Sequence, residues 1–299
     1  MGINYAALSD ERKMLIGAYL TMEYSIESAA FFNPSMFEDL AQTNLNNGEK
    51  RVILSFRATG EGHISSVVFR RGILDKNNEL KLMPVGKNID TAEIIHKMLY
   101  DKVRFIKRME QMQIPEKYSQ SIMDGLPDRF EYQTLKKGVD NLLSDQAISA
   151  ERRMALEEVT WLADSFYDVA FHHDSDISGR VLFPISDNES KGIEDARFVR
   201  FTEDDGTKKI YGTYTAYNGH ALLPKLLSTE DFYTFRVMPM HGMGAQNKNL
   251  ALFPKKIKGK YAMLARLDGV NNYLMYSNRS TLWNNPVMIQ EPKFPWEYK

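Results

Sequence analysis

Apolar positions along this chain keep two different periods. From Ser9 to Ala30 they recur at helical spacing, through Met14, Leu15, Ala18, Tyr19 and Met22. Ser9 or Asp10 can cap that run, which predicts an N-terminal helical segment within residues 1–30. Between residues 51 and 84 the period drops to two. "RVILSFRATGEGHISSVVFRRG" reads as two strands around a Gly-Glu-Gly turn, and "ELKLM" adds another after "DKNN". Helical spacing returns over residues 90–170, in "TAEIIHKMLYDKVRFIKRMEQMQ" and in "SAERRMALEEVTWLADSFYDVAF", the latter capped by Ser149. The segment between them, "IPEKYSQSIMDGLPDRF", has the prolines and glycine of a connection. Met98, Met109 and Met112 read as packing positions of these helices. From about residue 179 to the end, strands and turns dominate.

The last third repeats itself weakly. The stretch beginning "DARFVRFTEDDG" can be laid over the one beginning "NLALFPKKIKGK". In each, an apolar strand meets a turn, and a second strand holds Tyr211 or Tyr261. A third strand and a serine-containing turn then lead to Phe235 or Trp283. The offset of about fifty residues is the span of a four-stranded propeller blade. An antiparallel sandwich with similar hairpins fits the same periodicity.

Composition narrows the class. A chain of 299 residues, 43% hydrophobic and 26% charged, is long enough to bury a large core and has the profile of a globular protein. Its formal net charge of −1 supplies no basic footprint for nucleic acid. With no cysteine, disulfides and thiolate metal sites are excluded. "MGINYAALSDERK" lacks the apolar region of a signal peptide, and no apolar run is long enough to span a membrane. Ala6 stands where a myristoylation signal wants Ser or Thr. A cytoplasmic location is expected.

Candidate chemistry gathers in "GIEDARFVRF", where Glu194, Asp195 and Arg197 open an otherwise apolar strand. They form either a solvated turn or a carboxylate site held by a rigid strand. Two residues apart, Asp195 and Arg197 share a face of a regular strand, so Arg197 could hold the Asp195 carboxylate. Asn33 before Pro34 reads as a turn starter. Glu61 and His63 lie in the same glycine-rich bend as Arg57. In "HHDSD" (172–176) neighbouring side chains of a strand point to opposite faces, which argues against a metal site. His220 and His241 fall near predicted loops, and His241 could reach a pocket.

Four motifs in order resemble those of glycoside hydrolase family 130, the mannoside phosphorylases and related β-mannosidases. They are "FFNPS" (31–35), "SFRATGEGHISS" (55–66), "GIEDAR" (192–197) and "NKNLALFPKKIKGKYAMLARLDG" (247–269). The family's runs read approximately Asn-Pro-Ala, Arg-Ala, Gly-x-Glu-Asp-x-Arg and Lys/Arg-Asn-x-x-Leu-Phe-Pro-Glu-Lys-Ile-x-Gly-Lys-Tyr. The resemblance implies a mainly β fold of the five-bladed β-propeller type with an N-terminal helix and a helical insertion. It also implies a ring left incomplete, since family members continue for about two further blades. The expected division is 1–30 helical, 31–89 a first blade region, 90–175 a helical insertion and 176–299 further blades.

The resemblance further implies cleavage of β-mannosidic bonds with inversion, with Asp195 as general acid. Asn33, Arg57, Glu194, Arg197 and His63 would contact the sugar. Lys248, Asn249 and Arg266 would hold phosphate, which a phosphorylase uses as nucleophile. Lys248 stands where the family often has Arg, so the bidentate fork is lost there. A strand-edge lysine is the plain alternative for Lys248, and Lys255, Lys256, Lys258 and Lys260 read as a solvated hairpin. The expected partners are a mannose-containing oligosaccharide and inorganic phosphate as co-substrate. No cofactor, metal, nucleic acid or membrane is expected, and homo-oligomerisation stays open. Two other functions fit: an inverting mannosidase, with a second carboxylate about 6.5–9.5 Å from the first to activate water, and a non-catalytic carbohydrate-binding fragment.

Overall fold

The computed structural model describes residues 8–20, 25–86, 88–95, 99–111, 114–145, 147–219 and 222–297. Met22, Met98, Met112 and His220 lie outside them. The N-terminal helix α1 (Asp10–Leu20) starts where Ser9 Oγ accepts the Arg12 N–H at 3.4 Å. It is shorter than the predicted run, and Ala30 already belongs to a strand.

Three antiparallel four-stranded meanders follow one another along the chain. The first is β1 (Ala30–Glu38), β2 (Lys50–Thr59), β3 (Ser65–Leu74) and β4 (Leu80–Leu82), each pairing with the next. Between the first and second meanders lie β5 (Asp90–Thr91), β6 (Glu93–Ile95), β7 (Leu99–Asp101), α2 (Lys102–Gln111), α3 (Glu116–Met123), β8 (Arg129–Glu131), α4 (Tyr132–Leu143), α5 (Ala150–Asp164), β9 (Tyr167–Ala170) and β10 (Arg180–Leu182). The second meander is β11 (Gly192–Thr202), β12 (Lys208–Tyr217), β13 (Leu222–Thr229) and β14 (Thr234–Pro239). The third is β15 (Ala251–Leu252), β16 (Tyr261–Ala265), β17 (Asn272–Ser277) and β18 (Val287–Gln290). The repeat read from the sequence is thus two successive meanders, and β1 to β4 form another of the same build. The fold is mainly β, and first strands neighbour one another: β1 packs along β11, and β11 along β15.

The connecting segment is stitched into both flanking sheets. β10 pairs with β3 and, in parallel, with β5, while β9 pairs with β14 and β6 with β9. Residues 90–95 and 99–101 are therefore strands, not the helix that their spacing predicted. Isoleucines 94 and 95 suit either period, and free sheet edges beside them decide the outcome. Within the expected connection, α3 begins directly after Pro115, a residue that starts helices as readily as it interrupts them. The helices have a core of their own, built from Phe105, Met109, Leu135, Leu156, Val159 and Leu162 among others. Ser149 caps α5 as predicted, its side chain accepting the Arg152 N–H at 3.2 Å. Among the described residues no helix is long and apolar enough to cross a membrane.

One charged group pair lies fully out of water. Lys225 on β13 and Glu189, in the turn just before β11, have 0% side-chain exposure and meet at 2.8 Å. Glu189 also accepts from the hydroxyls of Tyr214 (2.6 Å) and Tyr167 (2.8 Å) and from the Ile185 N–H (2.9 Å). Lys225 donates to Ser186 Oγ at 2.8 Å. Burial pushes the Glu189 carboxyl up. The Lys225 charge and the hydrogen bonds from Lys225 and Tyr214 outweigh this, so the group titrates below the usual carboxylate range. Lys225→Met leaves that carboxylate buried without its cation and should cost about 3–5 kcal/mol at neutral pH. Urea unfolding measures the loss, and Glu189→Gln in the same chain should restore a substantial part of it.

Candidate active site

The first strands of the first two meanders carry the same defect. Pairing of β1 with β2 steps from Phe32↔Arg57 to Ser35↔Ser55, so β1 spends three residues where β2 uses two. Pairing of β11 with β12 steps likewise from Glu194↔Thr215 to Arg197↔Thr213. Each bulge contains a left-handed residue, Asn33 (φ 52°) and Asp195 (φ 52°), and Asn249 (φ 66°) takes the same conformation just before β15. Asn and Asp tolerate this region better than other side-chain-bearing residues. A bulge re-aims a side chain. Here it breaks the strand alternation, so that Glu194 and Asp195, though adjacent, both reach Arg57.

Arg57, on β2, is the centre of the cluster. Its NH2 donates to Glu194 Oε1 at 3.0 Å, its NH1 lies 3.6 Å from Asp195 Oδ1, and its Nε donates to Ser65 Oγ at 2.8 Å. Asn33 Nδ2 donates to Asp195 Oδ1, and Lys248 Nζ to Glu194 Oε2. Side-chain exposure is 11% for Glu194, 19% for Arg57, 21% for Asp195 and 28% for Lys248, so these pairs are shielded more than surface ion pairs. Of the cluster, Asn33 and Asp195 line a cleft of about 460 Å³, together with Pro34, Ser35, Arg197 and Asn249, among others. That volume falls within the range of about 300–1,000 Å³ usual for small-molecule sites. A cleft of equal volume along Asp168, Lys209 and Arg236 contains none of the candidate catalytic, sugar or phosphate residues.

A family model described as beta-1,4-mannooligosaccharide phosphorylase, that of glycoside hydrolase family 130, matches residues 164–298. Over this segment, less than half of the chain, the sequence is similar to glycoside hydrolase family 130. No curated protein matches the chain. Similar solved structures include a beta-1,2-mannobiose phosphorylase from Listeria innocua in complex with beta-1,2-mannobiose, at 16% identity and a TM-score of 0.38, covering 92% of this chain and 62% of that one. A glycosyl hydrolase from Bacteroides ovatus shares 12% identity at a TM-score of 0.35, covering 86% of this chain and 48% of that one. Another comes from work on family 130 glycoside hydrolases that target beta-1,2 mannosidic linkages in Candida mannan. It shares 14% identity at a TM-score of 0.38, covering 90% of this chain and 54% of that one. The chain thus spans between 48% and 62% of the length of these proteins.

The family 130 motif residues do not all meet. Asn33, Arg57, Glu194, Asp195 and Lys248 form one bonded cluster, drawn from the first two meanders and the turn before the third. Arg197 does not hold Asp195 as strand alternation predicted. The bulge turns it away, and its NH2 donates to Asn249 Oδ1 at 3.3 Å. Arg266 follows β16 and donates to the carbonyls of Val270 (3.2 Å) and Glu297 (2.9 Å). His63 is exposed in the turn after β2, at φ 60°. Lys256 pairs with Asp204 at 2.7 Å, so that lysine is not simply solvated. In "HHDSD", His172 bonds Asp90 at 2.8 Å and the His173 ring lies against Tyr233.

Sequence reasoning gave no role to Ser65 or Gly192, although both lie inside the quoted motifs. Gly192 sits at φ 123°, and a Cβ there would lie 2.9 Å from the Ser65 backbone nitrogen. The glycine lets β11 enter against the residue that holds Arg57 Nε. Gly192→Ala should destabilise the chain by about 1–3 kcal/mol, read as a lower urea midpoint.

His241 is not in the cleft cluster. It is buried where its backbone bonds Thr281 and Trp283, and its Nε2 has no hydrogen-bond partner among the described residues. Burial, with a smaller push from Arg108, brings the imidazole down to about 4 from its ordinary 6.5. Between those values the unfolded chain holds the extra proton, so this residue's contribution is complete above pH 6.5 and is lost as pH falls toward 4. The full loss is about 3 kcal/mol. His241→Met should remove that part of the slope, measured as the difference in urea midpoints between the two proteins from pH 7 to 4.

Proposed function

We propose that the chain belongs to a carbohydrate-active enzyme that cleaves β-mannosidic bonds with inversion by phosphorolysis, Asp195 acting as general acid. The observation that carries this reading is the convergence of Asn33, Arg57, Glu194, Asp195 and Lys248 from distant parts of the chain into one bonded cluster, which meets a cleft at Asn33 and Asp195. Three meanders whose first strands neighbour one another are what part of a five-bladed propeller would supply. Such strands bring side chains of different blades to a common mouth. In the reaction Asp195 gives its proton to the departing glycosidic oxygen while phosphate attacks the anomeric carbon from the opposite face. Asn33 and Arg57, besides orienting the carboxylate, offer donors to sugar hydroxyls.

Charge around the cleft supports an anionic co-substrate. Arg57 and Lys248 pair with the carboxylates of Glu194 and Asp195, Arg197 adds a third cation at the rim, and with a proton on Asp195 the excess grows. Glu194 shares Arg57 and Lys248, so phosphate would bind by drawing Lys248 partly away from it, with Arg197 and Asn249 at the same rim. Domain boundaries follow from this reading, with 31–89 and 176–299 as blade regions, 90–175 as the insertion and 1–30 as the N-terminal helical segment.

Asp195→Asn keeps shape and hydrogen bonding but cannot donate the proton. It should lower turnover of a β-mannoside by about 10²–10⁴-fold with sugar affinity nearly kept. Lys248→Ala should chiefly raise the apparent KM for phosphate. Kinetics with phosphate varied at saturating mannoside distinguish acid from cradle. A wild-type rate in Asp195→Asn would end the assignment, and a rate indifferent to phosphate would replace phosphorolysis by hydrolysis.

A further inference from the structure

Resting on the reading of Asp195 as the acid, we infer that Ser35 is the positioning residue that fixes the Asp195 bulge. β1 and β11 are the terminal strands of their sheets, so each turns an unpaired edge toward the other. Phe198 N–H, on that edge of β11, donates to Ser35 Oγ at 2.9 Å. Three residues earlier, Asp195 accepts from Asn33, two residues before Ser35. The two bonds run in opposite senses. β1 donates at 33 and accepts at 35, and β11 accepts at 195 and donates at 198.

One contact joins residues inside the two bulges, and the other lies at their far side. Ser35 is the residue at which β1 returns to register with β2, and Phe198 follows the residue at which β11 returns to register with β12. Phe198 is itself fixed, because its ring covers Gly212 so closely that a Cβ there would lie 2.6 Å from it, and it stacks on Phe37 at 5.3 Å. A left-handed Asp195 has no ladder partner of its own to hold it. The Ser35 hydroxyl supplies the fixed point on the far side of the bulge, and Asn33 then meets the carboxylate in one place. Misplacement of a reacting group by about an ångström costs up to about 10²-fold.

The test compares Ser35→Ala with Ser35→Thr, which keeps a hydroxyl. In protein labelled with ¹³C at aspartate carboxyls, Ser35→Ala should move the Asp195 resonance and speed hydrogen exchange at the Phe198 amide, and Ser35→Thr should restore both. Turnover of a β-mannoside should fall about 10- to 100-fold in kcat for Ser35→Ala, with KM for the sugar nearly unchanged. An unmoved Asp195 resonance, an unchanged Phe198 exchange rate, or a kcat equal to wild type would overturn the inference. A wild-type protein that turns over no β-mannoside, with or without phosphate, removes the mannoside reading alone. The resonance and exchange measurements then still decide whether Ser35 sets the bulge.

Discussion

The buried pair of Lys225 and Glu189 is the interaction on which the second sheet and its active strand depend. An ion pair out of water survives only if every remaining lone pair and proton is met, and here β9, β12, β13 and the turn before β11 all contribute. The turn is therefore fixed from inside the sheet, and Gly192 to Asp195 leave it on a set course. Tyr214, one of the groups on Glu189, is followed directly by Thr215, the β12 partner of Glu194. The interior of the sheet and the lip of the cleft are one or two residues apart.

What happens at the lip depends on the bulges. A regular β11 would direct Asp195 and Arg197 to one side and Glu194 to the other. With one extra residue and a left-handed Asp195, a single guanidinium gathers both carboxylates, and Arg197 turns to Asn249 in the approach to the third meander. The same device in β1 brings Asn33 to the same carboxylate. Local irregularity in two edge strands, rather than any regular element, builds the cluster.

Much of this was legible in the sequence, and unevenly so. Apolar runs such as "RVILSFRAT" announced their strands by length and composition, and Val52 to Ser55 are buried on both faces of β2. Asn33, Arg57, Asp195 and Lys248 were found through motif resemblance, which records proximity that periodicity cannot. The partner of Arg197 was misread because strand alternation presumes regular pairing, and no residue pattern in "GIEDAR" announces the bulge. Residues 90–95 and 99–101 were misread as helix for a different reason. Short apolar runs such as Ile94-Ile95 take their structure from the sheet edge that receives them, far away in the chain. Gly192 and Ser65 were invisible because their role is to be small or to be near.

The stitching of the helical segment into both sheets has a consequence for how the molecule assembles. β3 is capped by β10, and β14 by β9, strands that are neighbours in the sequence but close edges of different sheets. β4 closes one end of the β3 edge as a hairpin, but Val67 and Val68 of that edge, and the edge of β14, pair only with strands of the helical segment. Closing such long loops early is entropically dear. Until it happens, β3 and β14 stand with unpaired backbone groups, ready to accept any extended strand. The helices, whose core also receives Met238 of β14, separate β6 from β9 in sequence and rejoin them in space. Paired with β6, β9 offers its other edge to β14, so one segment closes both sheets.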